Sequence, residues 1–138
     1  WGTKEAELEK MLGKGFLVAL VGGRGPGKTQ MGVELMKKTT ESLHRAYYDT
    51  LTGLFLRIKA TFKKDSRNTE DDVVREMTQP SLLVLDEISR RSDSDWENRV
   101  LYEIIDHRYR EMNDTLLIAN QTKEQFIEAI GESDGSRR

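Results

Sequence analysis

The sequence predicts an α/β domain in which a parallel sheet carries helices on both faces. Three observations predict it. Apolar runs of strand length, at residues 16–21, 81–85 and 115–119, alternate with longer segments of helical periodicity. The first run is continuously apolar, the pattern of a strand covered on both faces of a parallel sheet. Glycine-rich or helix-capping sequences stand at the joints, at residues 22–27, 94–97 and 122–125.

Taken in order, residues 3–12 read as a short charged helix ended by Gly13 and Gly15. The strand at 16–21 follows, then the glycine-rich loop, then a helix over 28–38. A second strand is expected at 46–49. Residues 51–62 form a helix with Leu54, Phe55, Ile58 and Phe62 on one side. Residues 63–72 are polar and read as a surface loop. Thr69 with Asp72 makes a capping box for a helix through Met77, and Pro80 stops it. After the strand at 81–85, Ser94 and Glu97 cap a long helix to about Met112. Its apolar stripe is Trp96, Val100, Leu101, Ile104, Ile105 and Tyr109. The strand at 115–119 leads to Thr122 and Gln125, which cap a last helix ending on Gly131. Residues 1–138 read as a single domain. The start on Trp1 and the close on Arg137-Arg138 in mid-pattern read as a piece of a longer protein.

Composition narrows the classes. The formal charge is −2, from 22 basic and 24 acidic residues, which excludes coating nucleic acid by bulk charge but leaves room for a local basic patch. There is no cysteine, so disulfides and thiolate metal sites are excluded, and a cytoplasmic setting fits. No apolar run is long enough to span a bilayer, and no membrane role is expected. His44 and His107 are isolated and read as surface or capping residues. The acidic run Glu70-Asp71-Asp72 reads as a helix N-terminus rather than a metal site.

Three segments carry chemistry. Residues 22–29, Gly-Gly-Arg-Gly-Pro-Gly-Lys-Thr, satisfy G-x-x-x-x-G-K-[ST] between a strand and a helix. Glycines adopt torsions that let successive amides turn inward onto phosphate oxygens, and the helix opening at Lys28 adds its positive dipole end. Lys28 is expected on the β- and γ-phosphates of ATP, and the Thr29 hydroxyl on Mg²⁺. The second segment is Leu82-Leu-Val-Leu-Asp86-Glu87. Carboxylates at the carboxyl end of a parallel strand stand where such sheets bind ligands. Asp86 is expected to hold Mg²⁺ through its water shell, and Glu87 to orient and polarise the attacking water. The third is Leu116-Leu-Ile-Ala-Asn120. If that strand lies between the first and third, Asn120 reaches the level of Asp86 and can bond the water and the γ-phosphate. Otherwise it simply begins the turn into the Thr122 cap.

With these three segments in order, the chain resembles the AAA+ ATPases, and within them the DnaC/DnaI-type replicative helicase loaders, whose sister branch is the IstB-type transposition helpers. The likeness runs from Gly15 to Arg137. It rests on Gly-Arg-Gly-Pro-Gly-Lys-Thr-Gln-Met, Leu-Asp-Glu-Ile, Trp96-Glu-Asn-Arg with Leu101-Tyr-Glu-Ile-Ile-Asp-His-Arg-Tyr109, and Leu-Ile-Ala-Asn-Gln121. The resemblance implies a P-loop NTPase of the AAA+/ASCE type, a three-layer αβα sandwich, from which these residues depart in lacking a C-terminal lid. It makes Gly22, Gly23, Arg24, Gly25, Pro26, Gly27, Lys28 and Thr29 the Walker A site, which with Gln30 and Asp86 binds ATP or ADP. Asp86 and Glu87 become Walker B, and Asn120 sensor 1. The family closes this region with Gly-Glu-Arg-x-x-Ser-Arg-Leu, whose second arginine acts on the neighbouring subunit's ATP. Here Arg137 falls on that finger, while Ser133 and Arg138 depart from the pattern. The resemblance thus implies self-association with ATP at a subunit interface, a replicative helicase as partner, and slow hydrolysis. The loaders' helicase-binding segment is not in these residues.

Arg57, Lys59, Lys63, Lys64 and Arg67 cluster with Phe55 and Phe62 interleaved, a composition that suits single-stranded DNA. The other reading is a solvated helix face whose phenylalanines point to the core. Four functions fit the whole chain. They are a helicase-loading ATPase, a transposition helper on duplex DNA, a small-molecule kinase on the same core, and a non-catalytic nucleotide-gated interaction module.

Overall fold

A computed structural model of the chain describes residues 2–23, 27–90 and 94–134. The elements run α1 Gly2–Met11, β1 Leu17–Val21, α2 Gly27–Glu41, β2 Ala46–Thr50, α3 Leu51–Ala60, α4 Glu70–Thr78 and β3 Leu82–Asp86. A short 3₁₀ turn Ile88–Arg90, α5 Asp95–Arg110, β4 Asp114–Ala119 and α6 Lys123–Asp134 complete them. The described strands form one parallel sheet in the order β1-β4-β3-β2. Val21 pairs with Ala119, Leu85 with Leu117, and Thr50 with Asp86.

Side chains alternate across a strand, so each central strand feeds two cores. Leu82, Val84, Leu116 and Ile118 pack with Leu8, Met31 and Leu35 of α1 and α2. Leu83, Leu85, Leu117 and Ala119 pack on the other face with Leu54, Ile58, Met77, Val100 and Ile104 of α3, α4 and α5. The result is the expected three-layer sandwich. α2 lies close to the sheet because Gly32 has no Cβ. One placed there would stand 3.2 Å from Val84 Cγ1 and 3.6 Å from Ile118 Cδ1.

The amino end of the sheet is locked by two buried charges. Asp114 opens β4, and its carboxylate accepts the amides of Gly13 at 2.6 Å, Gly15 at 2.8 Å and Phe16 at 3.1 Å. Gly15 takes this course at φ +81, where an added Cβ would stand 2.8 Å from Met112 Cα. Arg108 is fully buried. It donates to Thr115 Oγ1 at 2.9 Å, the Met77 carbonyl at 3.0 Å and the Asp114 carbonyl at 2.7 Å. Burial pushes its guanidinium down to about 10, and the Asp114 charge opposes that shift.

Several expectations hold. The Thr69–Asp72 capping box is complete, with bonds of 3.2 and 2.9 Å. Thr122 and Gln125 bond reciprocally at 2.9 and 3.1 Å, and Ser94 accepts the Glu97 amide at 3.1 Å. Others need correction. β1 is a rim of the described sheet, with Leu17 42 % exposed and Ala19 exposed as well, and on that face Val21 is its residue packed against the α3–α5 core. Tyr109 is exposed, and Arg108 completes the buried α5 stripe after Val100, Leu101 and Ile104. α3 ends at Ala60, leaving Phe62 on the surface, and α6 runs through Gly131 to Asp134.

Two expectations follow for stability. Asp114→Ala strands three amides and should lower unfolding free energy by about 3 kcal/mol. Asp114→Asn, which keeps one acceptor oxygen, should cost less, and urea denaturation measures both. Beyond β3 the chain turns through Glu87 at φ +55. Glu87→Gly should therefore unfold at a higher urea midpoint than Glu87→Ala, with an unfolding free energy larger by about 1 kcal/mol.

Candidate functional site

The carboxyl ends of β1, β3 and β4 gather the chemistry-bearing segments. The chain leaves β1 through Gly22, whose amide donates to the Gln121 carbonyl at 2.8 Å. The turn after β4, carrying Asn120, is thereby tied to the start of the glycine-rich loop. Because β4 lies between β1 and β3, Asn120 emerges beside that loop, exposed, at the same end of the sheet as Asp86. The condition on which its reading depended is met.

Gly27 opens α2. The Lys28 side chain is 3 % exposed and its Nζ donates to the Gly23 carbonyl at 2.6 Å, closing the loop on itself. Thr29 is the next residue. Its Oγ1 donates to Asp86 Oδ2 at 3.0 Å, across 57 residues of sequence. Arg24, Gly25 and Pro26 lie outside the described residues, as does Arg137. Gln30 points elsewhere, its amide donating to Glu34 Oε1 at 3.0 Å one turn along α2.

Asp86 is buried at the end of β3. Its Oδ1 accepts the Glu87 amide at 2.7 Å, and its Oδ2 accepts both Thr29 and the Tyr48 hydroxyl, the latter at 2.6 Å. Sequence reading did not find Tyr48. The signal lay in register: Thr50 pairs with Asp86, so Tyr48, two residues earlier, projects on the same face. Burial, and then the bond to Asp86, raise the Tyr48 phenol, so it stays a donor. Glu87 is half-buried, directly after Asp86. Among the described residues no cluster of three or more metal-ligating side chains occurs. A hydroxyl and one carboxylate 3.0 Å apart are nevertheless hard oxygen donors of the kind that hold Mg²⁺ with substrate phosphates.

The basic patch is divided. Arg57 is committed elsewhere: it pairs with Asp49 at 3.4 Å and with Glu76, and donates to the Tyr47 hydroxyl at 2.6 Å. Phe55 is buried. Lys59, Lys63, Lys64 and Arg67 are exposed. So is Phe62, whose ring lies 5.9 Å from that of Trp96. Among the described residues no helix is long and apolar enough to cross a membrane.

Comparison with known proteins agrees with this layout. The model for the IstB-like ATP binding protein family matches residues 13–134. The replicative helicase loader DnaC of Escherichia coli K12 is 23 % identical over 111 residues, covering 80 % of this chain and 45 % of that protein. The chain thus spans about half the length of the curated relatives it matches. Among solved structures, the DnaC helicase loader superimposes with a TM-score of 0.76 at 20 % identity, covering 98 % of this chain and 78 % of the other. AMPPCP-bound DnaA from Aquifex aeolicus gives 0.78 at 16 % identity, covering 96 % and 43 %. At these identities the structural likeness establishes the fold, the P-loop arrangement of the AAA+ proteins. The family match covers most of the sequence, and the chain belongs to the IstB-like ATP binding protein family.

Proposed function

We propose that the chain binds and hydrolyses ATP as a switch that loads a hexameric replicative helicase onto single-stranded DNA. The observation that carries the catalytic half is the Thr29–Asp86 contact. It joins the phosphate loop to the acidic strand end, which a structural turn would not require. Gly22, Gly23 and the loop through Gly27 supply backbone amides for the phosphates, and Lys28 exchanges the Gly23 carbonyl for phosphate oxygens. Thr29 and Asp86 would hold Mg²⁺, which when bound neutralises charge on the phosphates. Glu87 orients and polarises the attacking water, and Asn120, beside the loop, bonds the same water or the γ-phosphate. Arg137 from a neighbouring subunit completes the site, so ATP sits between subunits and turnover of the lone chain is slow.

The loading half is supported by the DnaC relatives and by exposed Lys59, Lys63, Lys64 and Arg67 beside the Phe62–Trp96 ring pair. These cations contact phosphates while Phe62 offers a stacking face. The family match favours a second reading, a transposition helper that assembles on duplex DNA. The loader reading expects binding to single strands in preference to duplex and co-purification with a replicative helicase; duplex preference reverses the choice.

For the catalytic half, Lys28→Ala should abolish nucleotide binding. Glu87→Gln should leave binding intact and slow turnover by ~100-fold or more. Turnover unaffected by Glu87→Gln would sink the mechanism, and tight binding without turnover in the unaltered protein would make it a nucleotide-gated interaction module.

A further inference from the structure

The Tyr48 contact with Asp86 is used by none of the steps above, although it is the shorter of the two hydroxyl bonds to Oδ2. An ionised carboxylate has about four lone-pair positions. Thr29 and Tyr48 occupy two on Oδ2, and the Glu87 amide occupies one on Oδ1. The donors come from three separate elements: α2, β2 and the turn after β3. Together they fix both the rotation of the carboxylate and the position left open, the second lone pair of Oδ1. The Glu87 amide is backbone, and Thr29 belongs to the phosphate loop. Tyr48 alone among these donors has no other task at the site.

We propose that Tyr48 is a positioning residue for metal binding, its hydroxyl holding Asp86 so that one lone pair remains aimed at the water shell of the nucleotide-bound cation. The inference rests on the Mg-nucleotide reading of the site. A purely structural role would require only that the phenol find an acceptor, and losing it would then change stability without changing metal dependence. A positioning role predicts the reverse. The precedent in chemistry is general: hydrogen-bond partners that orient a metal-binding group set its affinity as much as the group itself does.

Tyr48→Phe removes the hydroxyl and keeps the ring. The experiment titrates Mg²⁺ into protein with a fluorescent N-methylanthraniloyl ATP, for the unaltered chain and for Tyr48→Phe, with parallel binding in EDTA. Equal affinity in EDTA with about ten-fold more Mg²⁺ required by the variant is the expected result. The same Mg²⁺ requirement in both proteins overturns the inference and leaves the nucleotide site standing. If the unaltered chain gains no affinity from Mg²⁺, the reading of the site fails and the inference with it. Should Tyr48→Phe not fold, Mn²⁺ with ADP added to the unaltered protein provides the test. It should broaden the ring resonances of Tyr48 well beyond those of Tyr102 and Tyr109, and a Tyr48 ring left sharp overturns the proposal.

Discussion

The arrangement depends on the insertion of β4 between β1 and β3. The last of the described strands is central in space, and it bonds to both neighbours along its length. Without it, the glycine-rich loop after β1 and the acid pair after β3 would have no common reference. With it, Val21 and Ala119 end side by side, Asp86 ends one position short of them at the same end of the sheet, and the Thr29 hydroxyl meets the Asp86 carboxylate. Parallel pairing makes this geometry possible, since every strand then delivers its carboxyl end to the same side.

The two ends of the sheet are built differently. At the amino end, Asp114 and Arg108 are buried and bound by backbone groups of the loop before β1, α4 and β4 itself. Burying charges costs free energy unless every polar atom is satisfied, and here the partners are the Thr115 hydroxyl and five fixed main-chain groups that specify one register. At the carboxyl end the constraints are looser. Glu87 holds a left-handed backbone, Asn120 is exposed, and Lys28 bonds the Gly23 carbonyl. Such tolerance of strain and open valence suits a site that exchanges ligands.

Much of this could be read from residue order. The phosphate loop announced itself by spacing, and the capping pairs at Thr69, Ser94 and Thr122 marked helix starts to the residue, because capping is a local hydrogen bond. The acid pair was legible as the end of an apolar run. What escaped were features set by packing across distant elements. β1 reads as a fully covered strand because all its residues are apolar, yet apolarity does not say which neighbour covers them. Tyr109 fits the α5 stripe by type, but the helical period places Arg108 inward, and an arginine is not expected there until the carbonyls that receive it are known. Tyr48 depends on the pairing of β2 with β3, and Arg57, read as a cation for nucleic acid, depends on Glu76 from α4 being near. Neither relation leaves a mark in local sequence.

The most direct test of the central claim is a double-mutant cycle on the contact that joins the two halves of the site. Affinity for a fluorescent ATP analogue would be measured for the unaltered chain, Thr29→Val, Asp86→Asn and the pair, each with Mg²⁺ and in EDTA. The account predicts a coupling of about 1 kcal/mol or more with Mg²⁺ and none in EDTA. Effects that add in both conditions would contradict it, since the hydroxyl and the carboxylate would then not be holding the same cation.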